Sequence, residues 1–302
     1  MITPLLSIAK PSWWNIPFSN ILVKDEFAHK YGTVKDRRSH FILGEAERYH
    51  VDKLVMITSG NSGNSLARLA KDLYLPLKVV VIVDKKIDPE LLSLMQKTCY
   101  RVIITDLLEK IYRPEDVIAN AREYDNEVIW DVTNGFEEAN QPILRETIAQ
   151  LENMPDAIVV PVGSGGIFCG LAELVQQKKF KTKIIGIGAE NKQKSFADKL
   201  STPWTPYQKI MERFTAQGHI LYRISEQIIR ETFQQWKNIV NCEPSSSIVF
   251  AAPHIHTFGK KETVVFLNTG KLRTQEFFAP AQAMRIQTSS SKKSMQTMRR
   301  EI

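Results

Sequence analysis

The 302-residue sequence predicts an α/β protein with two open, mostly parallel sheets flanked by helices. Two observations carry this. Short apolar runs rich in β-branched residues alternate with stretches of helical periodicity along most of the chain. Those runs are also continuous, not interleaved with polar residues, which is the pattern of parallel strands covered on both faces.

The elements follow in order. KLVMI at 53–57 reads as a buried strand, and a helical pattern follows over 62–73. KVVVIV at 78–83 is the next strand and 89–97 the next helix. RVIIT at 101–105 is a third strand. The stretch 114–124 predicts a helix with Pro114 in its first turn, where a missing N–H is harmless. EVIW at 127–130 is a fourth strand. AIVVPV at 157–162, a helix over about 167–177 and KIIGIG at 183–188 repeat the unit, and TVVFLN at 263–268 is a late strand. No internal repeat is visible.

Composition excludes several classes. Apolar residues are 43% and charged residues 24%, which rules out a disordered, collagen-like or disulfide-stapled chain. No apolar run reaches the 18 residues or so of a transmembrane helix, and the start lacks the basic region of a signal peptide, so neither is expected. The net charge is +7, but the tail from Lys271 onward carries +5, leaving +2 for the body. A nearly neutral body lacks the broad basic footprint of a nucleic-acid binder. The tail, low in apolar content around 288–294, is expected to be disordered. The cysteines, Cys99, Cys169 and Cys242, are far apart and form no C-x-x-C pair. Neither a zinc site nor a disulfide framework is expected, and a reducing compartment, the cytoplasm, fits. His254 and His256 have ligand spacing for one face of a strand, but no cysteine or carboxylate cluster joins them, so no metal is expected. Trp13 and Trp14 read as core or interface residues. Serine-hydrolase and zincin motifs are absent from the sequence.

Four segments could carry chemistry. YGTVKDRRSH at 31–40 places Lys35 near a helix start; taken alone, a solvated charge cluster explains it better. TSGNSGNSLARLAK at 58–71 puts small polar residues between a strand end and a helix start, where α/β sheets form their ligand crevice. Backbone N–H groups there suit a carboxylate or phosphate, and Asn61 adds an amide donor; a plain N-cap is the competing reading. PVGSGGIFCG at 161–170 is a glycine loop between strand and helix, suited to phosphate. It also partly matches a dinucleotide fingerprint, with Glu190 as the ribose acid, but its third glycine is Gly170 and not residue 168. EPSSS at 243–247 and LNTGK at 267–271 offer hydroxyls to a heterocycle nitrogen, although ordinary turn chemistry explains them equally.

The order of these pieces is more specific than any one of them. TPL at 3–5, LVKDE at 22–26, GTVKDR at 32–37, TSGNSGN at 58–64, VGSGG at 162–166 and NTG at 268–270 together resemble the fold-type II pyridoxal-phosphate enzymes. Threonine synthase, cysteine synthase, the serine and threonine dehydratases and the tryptophan synthase β chain belong to that family. The resemblance spans about 3–271. It implies that pyridoxal 5′-phosphate is the cofactor and that Lys35 forms its internal aldimine. Asn61 matches the asparagine that bonds the ring 3′-oxygen. Thr58, Ser59 and Ser62 lie in the loop that receives the substrate α-carboxylate. Gly163, Ser164, Gly165, Gly166 and Ile167 match the phosphate cradle. Thr269 matches the hydroxyl beside the pyridine nitrogen, with Ser246 as the substitute.

The resemblance also implies a reaction: β-elimination or β-replacement through an aminoacrylate, on serine, O-activated serine or a cysteine-like substrate. The freed Lys35 amine, its pKa lowered by burial, takes the Cα proton. Threonine synthase-like β,γ-replacement on phosphohomoserine is an alternative. So are a nicotinamide-dependent oxidoreductase and a non-catalytic binding subunit on the same fold. The family implies a homodimer, a larger cofactor domain from 1–44 and 136–271, and a smaller mobile domain from 45–135.

The sequence departs from the family at several points. AHKYG at 28–32 replaces Asn-Pro-Thr-Gly before the lysine, and its bulky residues predict a reshaped entrance. Ile167 stands where threonine is common, which removes a side-chain donor to phosphate. A helical segment is expected near Asn134, with Gly135 in place of the family's Asn-Pro pattern.

Overall fold

The computed structural model describes residues 2–14, 16–18, 20–107, 112–191, 195–200, 205–271 and 284–285. The chain opens with strands β1 (Leu5–Ala9) and β2 (Asn20–Asp25), then helix α1 (Lys35–Arg48). One βα series comprises β3 (Lys53–Ile57), α2 (Asn61–Asp72), β4 (Lys78–Asp84), α3 (Pro89–Thr98), β5 (Arg101–Thr105), α4 (Pro114–Ala121) and β6 (Ile129–Asp131). A second comprises α5 (Gln141–Leu151), β7 (Ala157–Pro161), α6 (Gly166–Lys178), β8 (Lys183–Ala189), α7 (Gln208–Ala216), β9 (Ile220–Ile224) and α8 (Glu226–Trp236). Two single-turn helices, α9 (Pro244–Ser247) and α10 (Ala252–Ile255), lead into β10 (Val264–Asn268). A short strand, β11 (Met284–Arg285), comes last.

These strands form two sheets, as the alternating pattern predicts. The smaller has order β5-β4-β3-β6, all parallel. The larger has order β11-β1-β2-β10-β7-β8-β9; it is parallel from β2 through β9, and β1 runs antiparallel to β2. Beyond Lys271 the basic tail lies outside the described residues, apart from β11, which pairs antiparallel with β1.

Both faces of each sheet are covered, which is why the strands read as unbroken apolar runs. On the larger sheet Ile158, Val160 and Ile184 pack under Phe168 and Leu171 of α6, whereas Val159, Ile185 and Phe266 face Trp236 and Phe250. Trp14 sits edge-on to Trp236, with centroids 4.6 Å apart, so it is core; Trp13 is half-exposed beside the same ring. On the smaller sheet Leu54, Met56 and Val81 meet Ile42 and Leu43 of α1 and Leu66 of α2, while Val55, Val80 and Ile82 face Val117 of α4.

Several elements differ from the sequence reading. Strands β1, β2 and β9 and helices α5, α7 and α8 were not expected. β6 begins at Ile129, not at residue 127. The Glu127 carboxylate instead pairs with the buried Lys53 at 2.7 Å and accepts the N–H groups of Glu123 and Tyr124. α4 stops at Ala121 because Arg122 turns extended (φ −69°, ψ 136°). The stretch around Asn134 is no helix; Gly135 (φ 87°) and Phe136 (φ 64°) turn the chain there. His254 lies in α10, not on a strand, and His256 beyond it meets the Tyr222 hydroxyl at 3.0 Å.

Candidate active site

Three long helices begin at the C-terminal ends of parallel strands or beside them: α1 at Lys35, α2 at Asn61 and α6 at Gly166. Oriented N–H groups gather there, and such crevices are where open α/β sheets bind ligands.

Lys35 is held by its neighbours in sequence. The Val34 N–H donates to the Thr269 carbonyl at 2.9 Å, and Thr33 bridges Gly270 in antiparallel fashion. The lysine is thereby locked beside the turn after β10. Burial is the largest influence on its amine and pulls the pKa down to about 8; Arg38 acts in the same direction and Glu243 opposes.

The turn after β10 is itself anchored. Ser246 of α9, fully buried, accepts the N–H groups of Thr269 (2.6 Å) and Gly270 (3.0 Å), and its Oγ lies 2.8 Å from Thr269 Oγ1. The two hydroxyls that the sequence offers as alternatives are one hydrogen-bonded pair. Replacing Ser246 by alanine leaves two buried N–H groups without their acceptor, so chemical denaturation should show a loss of about 2 kcal/mol or more. A loss below 0.5 kcal/mol would mean that water takes over the acceptor role.

The asparagine loop follows β3. Thr58 Oγ1 accepts from Gly60 N (3.0 Å) and Gly63 N (3.3 Å), folding the loop onto the start of α2. Gly60 has φ 125°, and a Cβ there would overlap Leu91, so the position demands glycine. Asn61 is buried and Ser62 half-buried, whereas Ser59 is exposed. The Asn61 amide points to Glu243 Oε1 at 3.5 Å. Lys35, Asn61, Ser246 and Thr269 therefore meet around Glu243.

The glycine loop follows β7, the strand adjacent to β10. Gly163 packs under Leu200. The Ser164 carbonyl accepts the Thr205 hydroxyl. Gly165 turns at φ 108° against Met211, and a Cβ on Gly166 would meet nothing within 4 Å. Ile167 is half-buried in the first turn of α6. Gly170 faces the Glu137 carbonyl closely enough that any Cβ would overlap it. It serves packing of α6 and not a pyrophosphate, which removes the basis of the dinucleotide reading.

The bulky residues before Lys35 do not line this crevice. His29 is buried on Glu26 (3.0 Å), while Lys30 and Tyr31 both bond Asp72 at the far end of α2. Sequence reasoning assigned no role to Glu243 or Arg38. Arg38 donates to the carbonyls of Val132 (2.7 Å), Asn134 (3.1 Å) and Gly135 (3.0 Å), gripping the crossover between the sheets. Glu243 had a faint signal: the Pro244 that follows it marks the first turn of α9.

A depressed amine, a glycine turn open at a helix N-terminus and a neighbouring hydroxyl pair fit pyridoxal phosphate. Fold and crevice define a two-sheet α/β protein with a buried lysine at its ligand crevice. The family profile "Pyridoxal-phosphate dependent enzyme" matches residues 2–270, and the chain belongs to that family. Rat cystathionine beta-synthase is 26% identical over 181 residues, covering 56% of this chain and 32% of the rat protein. A cysteine synthase from Helicobacter pylori is 28% identical over 201 residues, covering 62% of this chain and 64% of that one. The chain thus matches under two thirds of either relative. Among solved structures, a pyridoxal 5′-phosphate-dependent aspartate racemase superposes with a TM-score of 0.73 at 18% identity, covering 90% of each chain. No helix among the described residues is long and apolar enough to cross a membrane.

Proposed function

We propose that the protein catalyses β-elimination or β-replacement on a small amino acid, of the kind named in its cysteine synthase and cystathionine beta-synthase relatives. The observation that carries the reading is the Ser246–Thr269 hydroxyl pair beside the Lys35 segment. A hydroxyl, unlike a carboxylate, does not hold a heteroaromatic nitrogen protonated, so carbanion delocalisation is limited and early loss of a β-substituent is favoured.

Bound pyridoxal phosphate supplies the electron sink for carbanion chemistry. The chain supplies the rest. The glycine loop at 163–166 and the first turn of α6, including Ile167, hold the phosphate. The Asn61 amide donates to the ring oxygen, and the loop at Thr58, Ser59 and Ser62 holds the substrate carboxylate. The Lys35 amine, its pKa near 8, removes the Cα proton at working pH.

The test is a substrate panel of serine, O-acetylserine, O-phosphoserine, threonine and phosphohomoserine, with and without a thiol. Release of keto acid and ammonia, or formation of a thioether, from a serine-type substrate is the expected result. Turnover of phosphohomoserine alone would replace the proposal with a threonine synthase-like reaction. Cofactor binding without any turnover would leave a binding subunit.

A further inference from the structure

Arg223, near the end of β9, stands opposite Gly188 of β8 in the strand register. Its neighbour Leu221 packs in the cluster that contains Phe168 of α6, and alternation along the strand puts Arg223 on the same face. The guanidinium lies across Gly188: a Cβ on that glycine would overlap Nη1. The Val162 carbonyl oxygen is 2.9 Å from the same point, and Val162 directly precedes the glycine loop. The guanidinium therefore lies beside the entrance to the loop at 163–166, on the side of the sheet where α6 begins.

Among the described residues this cation has no carboxylate partner. Its one hydrogen bond among the described residues runs from Nη1 to the Ala189 carbonyl at a long 3.5 Å. Burial lowers its pKa, and no acidic neighbour offsets that. Elsewhere the buried cations Lys24, Arg37 and Lys53 each have paired carboxylates. A half-buried guanidinium without a counter-ion, next to an anion-binding loop, is an arrangement that awaits an anion.

We propose that Arg223 binds the 5′-phosphate of the cofactor by reaching over Gly188. The planar fork of the guanidinium suits two phosphate oxygens at once. It provides a charged donor in a cradle whose first helical turn carries Ile167, whose side chain has no polar atom to offer. Gly188 keeps the path across β8 clear. The proposal rests on the family's cofactor and is independent of the reaction proposed above.

The test compares pyridoxal phosphate with pyridoxal, which lacks the phosphate, on apo-protein prepared from wild type, Arg223→Met and Arg223→Lys. Binding is read from absorbance, and far-UV circular dichroism checks the fold. Arg223→Met should weaken pyridoxal phosphate by about ten- to a hundredfold, the range of a charge-assisted hydrogen bond. Pyridoxal binding should stay within about twofold, and Arg223→Lys should recover part of the loss. Inorganic phosphate should raise the melting temperature of wild-type apo-protein and not that of Arg223→Met. Equal losses for both cofactor forms would show a structural role and overturn the proposal. Unchanged pyridoxal phosphate affinity would also overturn it, including the case where only the KM for O-phosphoserine rises, which would assign the guanidinium to substrate. Should the methionine variant not fold, Arg223→Gln gives the same comparison.

Discussion

Lys35→Ala is expected to abolish turnover, with a loss of at least about a thousandfold, while the protein still folds. General acid–base catalysis alone contributes roughly 10²- to 10⁴-fold, and the covalent link to the cofactor proposed for this amine would add to that. In the wild-type protein, borohydride reduction followed by peptide mapping should place the cofactor mass on the peptide that contains Lys35. In the variant the visible lysine-linked band should be absent. The pH profile is a second readout. The amine works as a base only when neutral, and burial holds its pKa at about 8, so the rate should rise with pH and level off above that value. A rate that falls across pH 7–9, or a variant with activity within tenfold of wild type, would remove Lys35 from the chemistry.

Arg37→Leu should produce the largest loss of stability, about 3–5 kcal/mol, because it leaves buried charges uncompensated. Arg37 bonds Glu26 through Nε (2.6 Å) and Nη2 (2.9 Å), Glu146 through Nη1 and Nη2 (2.7 Å each), and the Thr3 hydroxyl (3.0 Å). Lys24 bonds Glu146 at 2.7 Å and the Thr3 carbonyl at 2.7 Å. Burial alone would raise the pKa of Glu26; hydrogen bonds and charge from His29 and Arg37 outweigh it and hold the carboxyl at about 2. A depressed carboxylate contributes stability that is fully present above its unfolded value of 4.5 and is lost as pH falls toward 2. Wild-type protein should therefore weaken through that window, and Arg37→Leu should start lower and show a shallower acid limb. Denaturant titration at pH 7 decides the first point; a loss under 1 kcal/mol would mean that the network relaxes around the gap.

The same network shows why part of the fold was hidden in the sequence. β3, β4 and β7 are buried on both faces by apolar neighbours and read directly as strands. β2 is equally central, but its Lys24 and Asp25 face buried polar partners, so the run NILVKD lacks the apolar signature. β9, the edge strand ILYRI, mixes an arginine and a tyrosine with its apolar positions for reasons of local contact. In the crevice, Lys35 and the two glycine-bearing loops were legible because the order of these segments along the chain resembles that of a known family. Arg38 and Arg223 could not, and Glu243 only faintly, because each is defined by what lies opposite it in space: the crossover carbonyls, Gly188 and the Asn61 amide.

The first turn of α1 concentrates these relationships. Lys35 addresses the crevice; Asp36 takes the Ser65 hydroxyl of α2 at 2.6 Å; Arg37 enters the network with Glu26 and Glu146; Arg38 holds the crossover. Four consecutive side chains, each stepped by about 100° around the axis, thus meet four different parts of the molecule. The rotational phase of the helix is specified four times over. Inserting or deleting one residue in this turn would send every one of those groups to the wrong address at once, with no single compensating substitution available. Any change in ligand preference has to be written on the walls of the crevice, in the loop after β3, while this turn stays fixed like the keyway of a lock.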